Sequence, residues 1–110
     1  MRCAEVYADR IAAGIIKETP DGFEFRYHKD YLSDRKLNSV SLSLPKRTKP
    51  YKSQILFPFF AGLLTEGITL QIQCRLLKID PNDFFGRLLK TVHDDAIGNI
   101  TIHELPQEES

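Results

Sequence analysis

The sequence has few of the residues and patterns that would give it chemistry of its own. Its 110 residues include two cysteines, Cys3 and Cys74, outside any C-x-x-C pattern, so two reduced thiols are favoured over one disulfide. The 15 basic and 15 acidic residues cancel, which argues against binding nucleic acid or an anionic membrane through net charge. The longest apolar-rich run, residues 55–64, is too short to cross a bilayer, and the N-terminus lacks the apolar core of a secretion signal. A cytoplasmic location and no membrane partner are therefore expected.

Recognisable catalytic motifs are also missing. His28, His93 and His103 do not have the spacing of a zinc site, and Ser41 and Ser43 lie outside a G-x-S-x-G elbow. There is no phosphate-binding loop and no dinucleotide-binding fingerprint. We therefore expect no catalytic residue, no cofactor and no metal, and we expect the protein to act by binding another protein.

The overall composition is that of one globular domain. Hydrophobic residues make up 42% of the chain and charged residues 27%. No repeat or linker divides the sequence, so residues 1–105 are predicted to form a single domain followed by a polar tail over residues 106–110.

The first half of the sequence indicates strands. They are predicted over residues 3–8, 11–17 and 23–27, with hairpin turns between them at residues 9–10 and 19–22, and a further strand or extended segment is predicted over residues 39–44. Phe23, Phe25 and Tyr27 alternate with polar residues, which is typical of a half-buried strand. Residues 39–44 alternate in the same way, and residues 46–53 are predicted to be a loop because prolines flank or interrupt them.

The second half indicates helices and one returning strand. Helices are predicted from Pro58 to Leu64, from about Ile68 to Lys78, and from an Asp80 cap to about Val92. Ile100 and Ile102 then alternate with polar residues in a last strand. This order predicts an α+β fold, with a small, mostly antiparallel sheet and about three helices packed on one side.

The first two helices carry more apolar residues than one buried face needs. On the second helix, one stripe contains Leu76 and a roughly opposite stripe contains Cys74 and Leu77. The third helix has a single apolar arc that includes Phe84 and Phe85. A helix that is apolar on two sides is either covered by the sheet and another helix, or covers a partner protein with one side.

A basic cluster precedes the first helix and consists of Lys46, Arg47, Lys49 and Lys52, interleaved with Tyr51. Two interpretations remain open. The cluster is a solvated loop, or it contacts an anion or an acidic surface of a partner.

Five segments in this order resemble the N-terminal subdomain of HipA-like serine/threonine kinase toxins. They are AGI at 13–15, FEFRY at 23–27, SLSLP at 41–45, FPFFAGLLTEG at 57–67 and DAIGNI at 95–100. The sequence departs from the family pattern at Thr65, where proline is usual, and at Asn99, where a small residue is common. No kinase motif is present, so the resemblance does not imply kinase activity.

A free-standing copy of this subdomain is similar to HipS of the three-component HipBST toxin–antitoxin systems. That resemblance implies a partner, a HipT-like serine/threonine kinase, which this chain binds and then neutralises or modulates. A HipB-like helix-turn-helix protein would join directly or through the kinase, and DNA would be contacted only through the complex. The partner-binding candidates are Phe57, Phe59, Phe60, Leu63, Thr65, Glu66, Gly67, Lys46, Arg47 and Lys49.

Other functions stay open at this stage. An accessory subunit could help a HipB-like repressor complex bind DNA without inhibiting the kinase. A nucleic-acid-binding role through the basic loop is disfavoured by the neutral net charge. Independent enzymatic activity is the least supported, because no pair of residues has a suitable type and spacing.

Overall fold

An antiparallel sheet organises the chain in a computed structural model that describes residues 1–64, 74–92 and 99–106. Its strands are β1 (Cys3–Ala8), β2 (Ile11–Thr19), β3 (Gly22–Tyr27), β4 (Tyr51–Ser53) and β5 (Ile100–Leu105). Their order in space is β4-β3-β2-β1-β5, so the strand from the end of the chain lies beside the first. The predicted α+β class with a mostly antiparallel sheet is confirmed.

The helices of the described part are short. They are α1 (Lys29–Ser33), α2 (Pro58–Ala61) and α3 (Phe84–Thr91). Residues 74–77 are also helical. This helix ends where Lys78 adopts a left-handed φ of 56° and the Ile79 N–H donates to the Cys74 carbonyl at 2.9 Å, which confirms the predicted end at Lys78. The predicted start of that helix lies outside the described residues.

Two tight hairpins, at residues 9–10 and 20–21, set the register of the first three strands. Asp9 and Arg10 connect β1 to β2 with positive φ values of 50° and 68°, the backbone that matches the twist of a two-residue hairpin. Val6 pairs with Gly14 and Tyr7 with Ala12, so the residue between these two β2 partners forms a bulge. A side chain at Gly14 would lie 2.3 Å from the Arg26 carbonyl oxygen, so only glycine fits there.

The predicted strand over residues 39–44 is wrong. This segment is a turn closed by a Ser41–Leu44 bridge, in which the Leu44 N–H donates to the Ser41 carbonyl at 3.1 Å. Serine hydroxyls offer the backbone local partners, and here Ser41 Oγ accepts from the Ser43 N–H at 3.2 Å. As a result Val40 and Leu44 are buried while Leu42 is 98% exposed, although alternation placed all three on one face.

Other elements also differ from the predictions, since β2 continues to Thr19 and α2 ends at Ala61 instead of Leu64. The predicted loop over residues 46–53 contains β4, which pairs with β3 at the edge of the sheet. Helix α1 was not predicted at all, because five residues are too few to show a helical period. Helix α3 is capped by Asp83 and not by Asp80, since the Asp83 carboxylate accepts from the Gly86 N–H at 3.0 Å.

One core joins the sheet to the helices. Phe25 lies at its centre, with ring centroids 4.9 Å from Tyr27 and 5.5 Å from Phe60. Helix α3 contributes Phe85 to the core, but Phe84, predicted on the same buried arc, is 51% exposed. The helical side of the sheet is thus buried, while the other side is covered by no described element.

Candidate functional site

Helix α2 and the residues before it carry the aromatic candidates, and the structure separates them into two groups. Phe60 is fully buried and Phe57 is 7% exposed, so both side chains lie in the core. Phe59 and Leu63 are half-buried and pack against the edge of the same core, where part of each side chain meets solvent. Phe57 and Phe60 therefore support the surface around α2 from within the core, whereas Phe59 and Leu63 form part of that surface.

Thr65, Glu66 and Gly67 lie outside the described residues. Their role as contact residues stays a prediction from the sequence.

Two of the basic candidates have structural partners within the segment between α1 and β4. Lys46 Nζ donates to the carbonyls of Asp34 at 2.8 Å and Leu37 at 2.9 Å. The Arg47 guanidinium lies 3.5 Å from the centre of the Tyr51 ring and donates to the Lys49 and Pro50 carbonyls. Both cations therefore hold the loop in shape, which leaves their predicted contact with a partner untested.

The remaining members of the basic cluster face solvent. Lys49 and Lys52 are exposed, and neither side-chain ammonium has a hydrogen-bond or ion-pair partner in the part of the chain that the structure describes. Arg26, on the neighbouring strand β3, is exposed in the same way. Among the described residues of this region, these three cations remain available to an acidic group.

Tyrosine hydroxyls fasten the long segment between α1 and β4, residues 34–50. The Tyr27 hydroxyl donates to the Leu44 carbonyl and accepts from the Val40 N–H at 3.0 Å. The Tyr31 hydroxyl donates to the Asn38 carbonyl and the Tyr51 hydroxyl to the Pro45 carbonyl, each at 2.6 Å. Burial raises the pKa of Tyr27 to about 12, so its hydroxyl stays protonated and keeps donating at neutral pH.

Several large apolar side chains of the described residues are exposed on this protein. They include Leu42 (98%), Leu76 (75%), Ile55 (68%), Phe84 (51%) and Leu77 (50%). Cys74 is buried at 7%, as expected for a small apolar residue, but Leu77 on the same predicted stripe is not. The helix over residues 74–77 therefore exposes Leu76 and Leu77 to solvent.

The side of the sheet that faces away from the helices is polar, and its side chains contact one another in pairs. His28 Nε2 lies 3.1 Å from a Glu5 carboxylate oxygen, and Lys17 Nζ lies 3.2 Å from Glu24. Tyr7 and His103 meet edge to face with ring centroids 5.1 Å apart. Such pairing is typical of a solvated sheet face.

A charged cluster that no sequence pattern indicates joins three elements. Arg2 donates to Glu18 at 2.8 and 3.0 Å and to both carboxylate oxygens of Asp83 at 2.8 Å. Hydrogen bonds from Arg2 hold the pKa of Glu18 and of Asp83 below their usual values. The partners lie 16 and 81 residues away along the chain, so no local pattern could have revealed them.

These arrangements offer surfaces for binding. Across residues 1–64, 74–92 and 99–106, no three His, Cys, Asp or Glu side chains come together as they would around a metal ion. In the same ranges, no helix is both long and apolar enough to cross a membrane.

Comparison with known proteins assigns the chain to a family. A family model described as the HipA N-terminal domain matches residues 4–103. The chain belongs to the HipA N-terminal domain family. This HipA N-terminal domain also superimposes on a solved structure, the N-terminal domain of HipA toxin, with a TM-score of 0.74 and 28% identity over 98% of this chain and 96% of that one. The family resemblance drawn from the five sequence segments is thus confirmed.

Two curated relatives of this HipA N-terminal domain differ in length. An uncharacterized protein of Haemophilus influenzae is 32% identical over 107 residues, which are 97% of this chain and 96% of that protein. A protein of Sinorhizobium fredii named putative kinase Y4mE is 31% identical over 111 residues, which are 99% of this chain and 26% of the kinase. The domain therefore occurs in a relative of its own length and as about a quarter of a protein named as a kinase.

Proposed function

We propose that this HipA N-terminal domain is the small, non-catalytic, HipS-like component of a tripartite toxin–antitoxin system. In this role it binds a HipA-type or HipT-like serine/threonine kinase and neutralises or modulates it. The observation that carries the proposal is the match to 26% of putative kinase Y4mE, beside the match to nearly all of a protein of its own length. A domain that one relative carries fused to more chain is suited to docking on the corresponding chain when the two are separate.

The surfaces around α2 support this docking role. Phe59 and Leu63 are half-buried on one side of α2, and Leu76, Leu77 and Phe84 are exposed elsewhere on the helical side. Partly exposed aromatic and aliphatic side chains above a rigid core are the usual anchors of protein interfaces. The predicted contacts at Thr65, Glu66 and Gly67 follow α2 directly in sequence, and Lys46, Arg47 and Lys49 lie in the segment before it.

Docking offers two mechanisms for control of the kinase. The bound domain covers the cleft in which the kinase binds its substrates, or it holds the kinase lobes in an inactive arrangement. Both mechanisms require only binding energy, which is consistent with a domain in which neither the sequence motifs nor the described residues reveal a reaction centre.

Co-expression with the HipA-type kinase of the same genome tests the proposal. We expect the two proteins to co-purify and the kinase to change its autophosphorylation rate when the domain is added. A Phe59→Ser variant is expected to weaken co-purification, whereas Ile11→Ser, an apolar change at the β1–β2 hairpin, is the matched control that should not. Melting curves of both variants verify that they fold, and failure of the unmodified domain to bind would refute the proposal.

Three exposed cations whose side chains have no partner among the described residues favour a second candidate function. Arg26, Lys49 and Lys52 are exposed and available to phosphate groups, which fits an accessory subunit that helps a HipB-like repressor complex hold DNA. A gel shift of the repressor complex with and without this domain tests it. Tighter, salt-sensitive DNA binding with unchanged kinase activity would select this function over the first.

A further inference from the structure

Leu42 occupies an unusual position for an aliphatic residue. Its side chain is 98% exposed, whereas Val40 and Leu44 on either side are 9% and 3% exposed and belong to the core. Single apolar residues on a surface are common and by themselves indicate nothing. Leu42 differs from such residues because its turn is firmly held.

Both ends of the turn are anchored to one buried group. The Tyr27 hydroxyl accepts from the Val40 N–H at 3.0 Å on one side of Leu42 and donates to the Leu44 carbonyl on the other. Within the turn, the Ser41 and Ser43 hydroxyls lie 2.9 Å apart, and Ser41 Oγ also accepts from the Ser43 N–H at 3.2 Å. The backbone that carries Leu42 is thus fixed by bonds that do not involve the Leu42 side chain.

A side chain presented in this way suits a binding anchor. Because the turn is already ordered in the free domain, little further conformational entropy is lost when Leu42 becomes buried in a complex. The exposed leucine adds almost nothing to the stability of the domain itself, since it removes almost no apolar surface from water. Burial of the Leu42 side chain against a partner would therefore add to the binding free energy without lowering the stability of the free domain.

The chemistry around the anchor defines the partner surface. The flanking residues Ser41 and Ser43 are uncharged, and their hydroxyls are the nearest polar groups in sequence. A complementary surface is an apolar pocket sized for one aliphatic side chain, with an uncharged rim of hydrogen-bonding groups. One leucine is too small an apolar area to hold a protein on a lipid surface, so the fit is to a protein.

We propose that Leu42 is a preformed anchor that inserts into an apolar pocket of the kinase bound by this domain. The inference depends on the proposed function and adds to it a contact residue that the sequence did not single out. It commits to the kinase as the occupant, because the turn and α2 both rest on the helical side of the sheet and can contact one partner together.

Calorimetric titration of the purified HipA-type kinase with this domain provides the test. Leu42→Ser is expected to weaken binding about tenfold to hundredfold, the range for loss of one buried leucine side chain. Leu42→Met keeps an aliphatic side chain of similar size and is expected to bind within about threefold of the unmodified domain. Melting temperatures of both variants should equal that of the unmodified domain, because the side chain lies outside the core.

A second variant tests the fixed turn. Ser41→Ala removes the hydroxyl that holds the Ser43 N–H while leaving Leu42 in place, and a loss of about threefold to tenfold in affinity is expected.

The outcomes separate this inference from the proposed function. Equal affinities of the unmodified domain and Leu42→Ser would overturn the anchor and leave kinase binding intact, whereas no binding by the unmodified domain would remove both. Sedimentation of the domain alone tests whether a second copy of this chain binds Leu42 instead. Self-association that Leu42→Ser abolishes would show that the pocket belongs to a second copy of this chain, which also overturns the assignment to the kinase.

Discussion

Tyr27 shows how much one side chain can decide at the scale of a residue. The sequence placed it on the buried face of β3, which the structure confirms at 3% exposure. Its ring packs between Phe25 and Tyr31, and its hydroxyl reaches past the sheet to fix both ends of the Leu42 turn. Burial raises its pKa to about 12, because ionisation would place a charge in the core.

We predict that Tyr27→Phe lowers the free energy of unfolding by about 1–3 kcal/mol, because the buried Val40 N–H and Leu44 carbonyl both lose their partner. Urea denaturation measures the change. Tyr7→Phe is the matched control, since no hydrogen bond of the Tyr7 hydroxyl is found among the described residues, and it should leave the midpoint unchanged. Equal midpoints for the two variants would show that the Tyr27 hydroxyl does not hold the turn.

At the scale of elements, the Arg2 cluster joins the start of β1 to the end of β2 and to the N-terminus of α3. Asp83 serves two purposes, since it caps α3 through the Gly86 N–H and accepts two hydrogen bonds from Arg2. The Arg2 guanidinium also lies 5.5 Å from the centre of the Phe85 ring. The cluster thereby ties α3 to the sheet beside the core.

We predict that this cluster makes stability depend on acid pH. Hydrogen bonds from Arg2 lower the pKa of both carboxylates from their ordinary values of 4.5 for Glu18 and 3.8 for Asp83. The stabilisation is therefore complete above those ordinary values and is lost as the pH falls through the lower values of the folded protein.

Denaturation of the unmodified domain and Arg2→Met at several pH values checks this prediction. Methionine keeps apolar contact with Phe85 while removing the charge. The difference in unfolding free energy should be largest at pH 6–7 and should shrink below about pH 4, as the carboxylates become protonated. A difference that stays constant across this range would mean that Arg2 stabilises the fold by packing alone.

Seen as a whole, the molecule has two unlike sides. The helical side carries the core, α2, the fastened segment 34–50 and the exposed apolar side chains of Leu42 and Phe84. The other side of the sheet carries ion pairs such as Lys17 with Glu24. The helical side is the one suited to a partner protein, because exposed apolar anchors beside ordered backbone favour association.

We predict that changes on the polar side of the sheet leave the proposed kinase binding intact. Arg26→Ala on β3 should keep the affinity within about twofold, while Leu42→Ser should lower it in the same titration, since a solvated charge outside an interface contributes little. A large loss for Arg26→Ala would move the docking surface to the open side of the sheet.

The hairpins, the final strand and the helix end at Lys78 could be predicted because each depends on residues close in sequence. Gly22 follows Pro20 and Asp21, and Ile100 alternates with its neighbours, so short-range turn chemistry and periodicity were sufficient. Candidate contact residues were harder to predict. An apolar pattern marked Phe57 and Phe60 together with Phe59, but periodicity alone cannot tell which of them the core covers.

The sequence by itself determined the α+β class, the strand hairpins and the family, because these follow from local backbone preferences and from motifs in a fixed order. Only the tertiary structure decided that Phe57 and Phe60 are core residues, that Arg2 reaches Asp83, and that residues 39–44 turn instead of extending. The physical reason is the same in each case. Burial and hydrogen bonding between distant residues override local pattern, so the exposure of Leu42 between two buried neighbours could be recognised only in the folded chain.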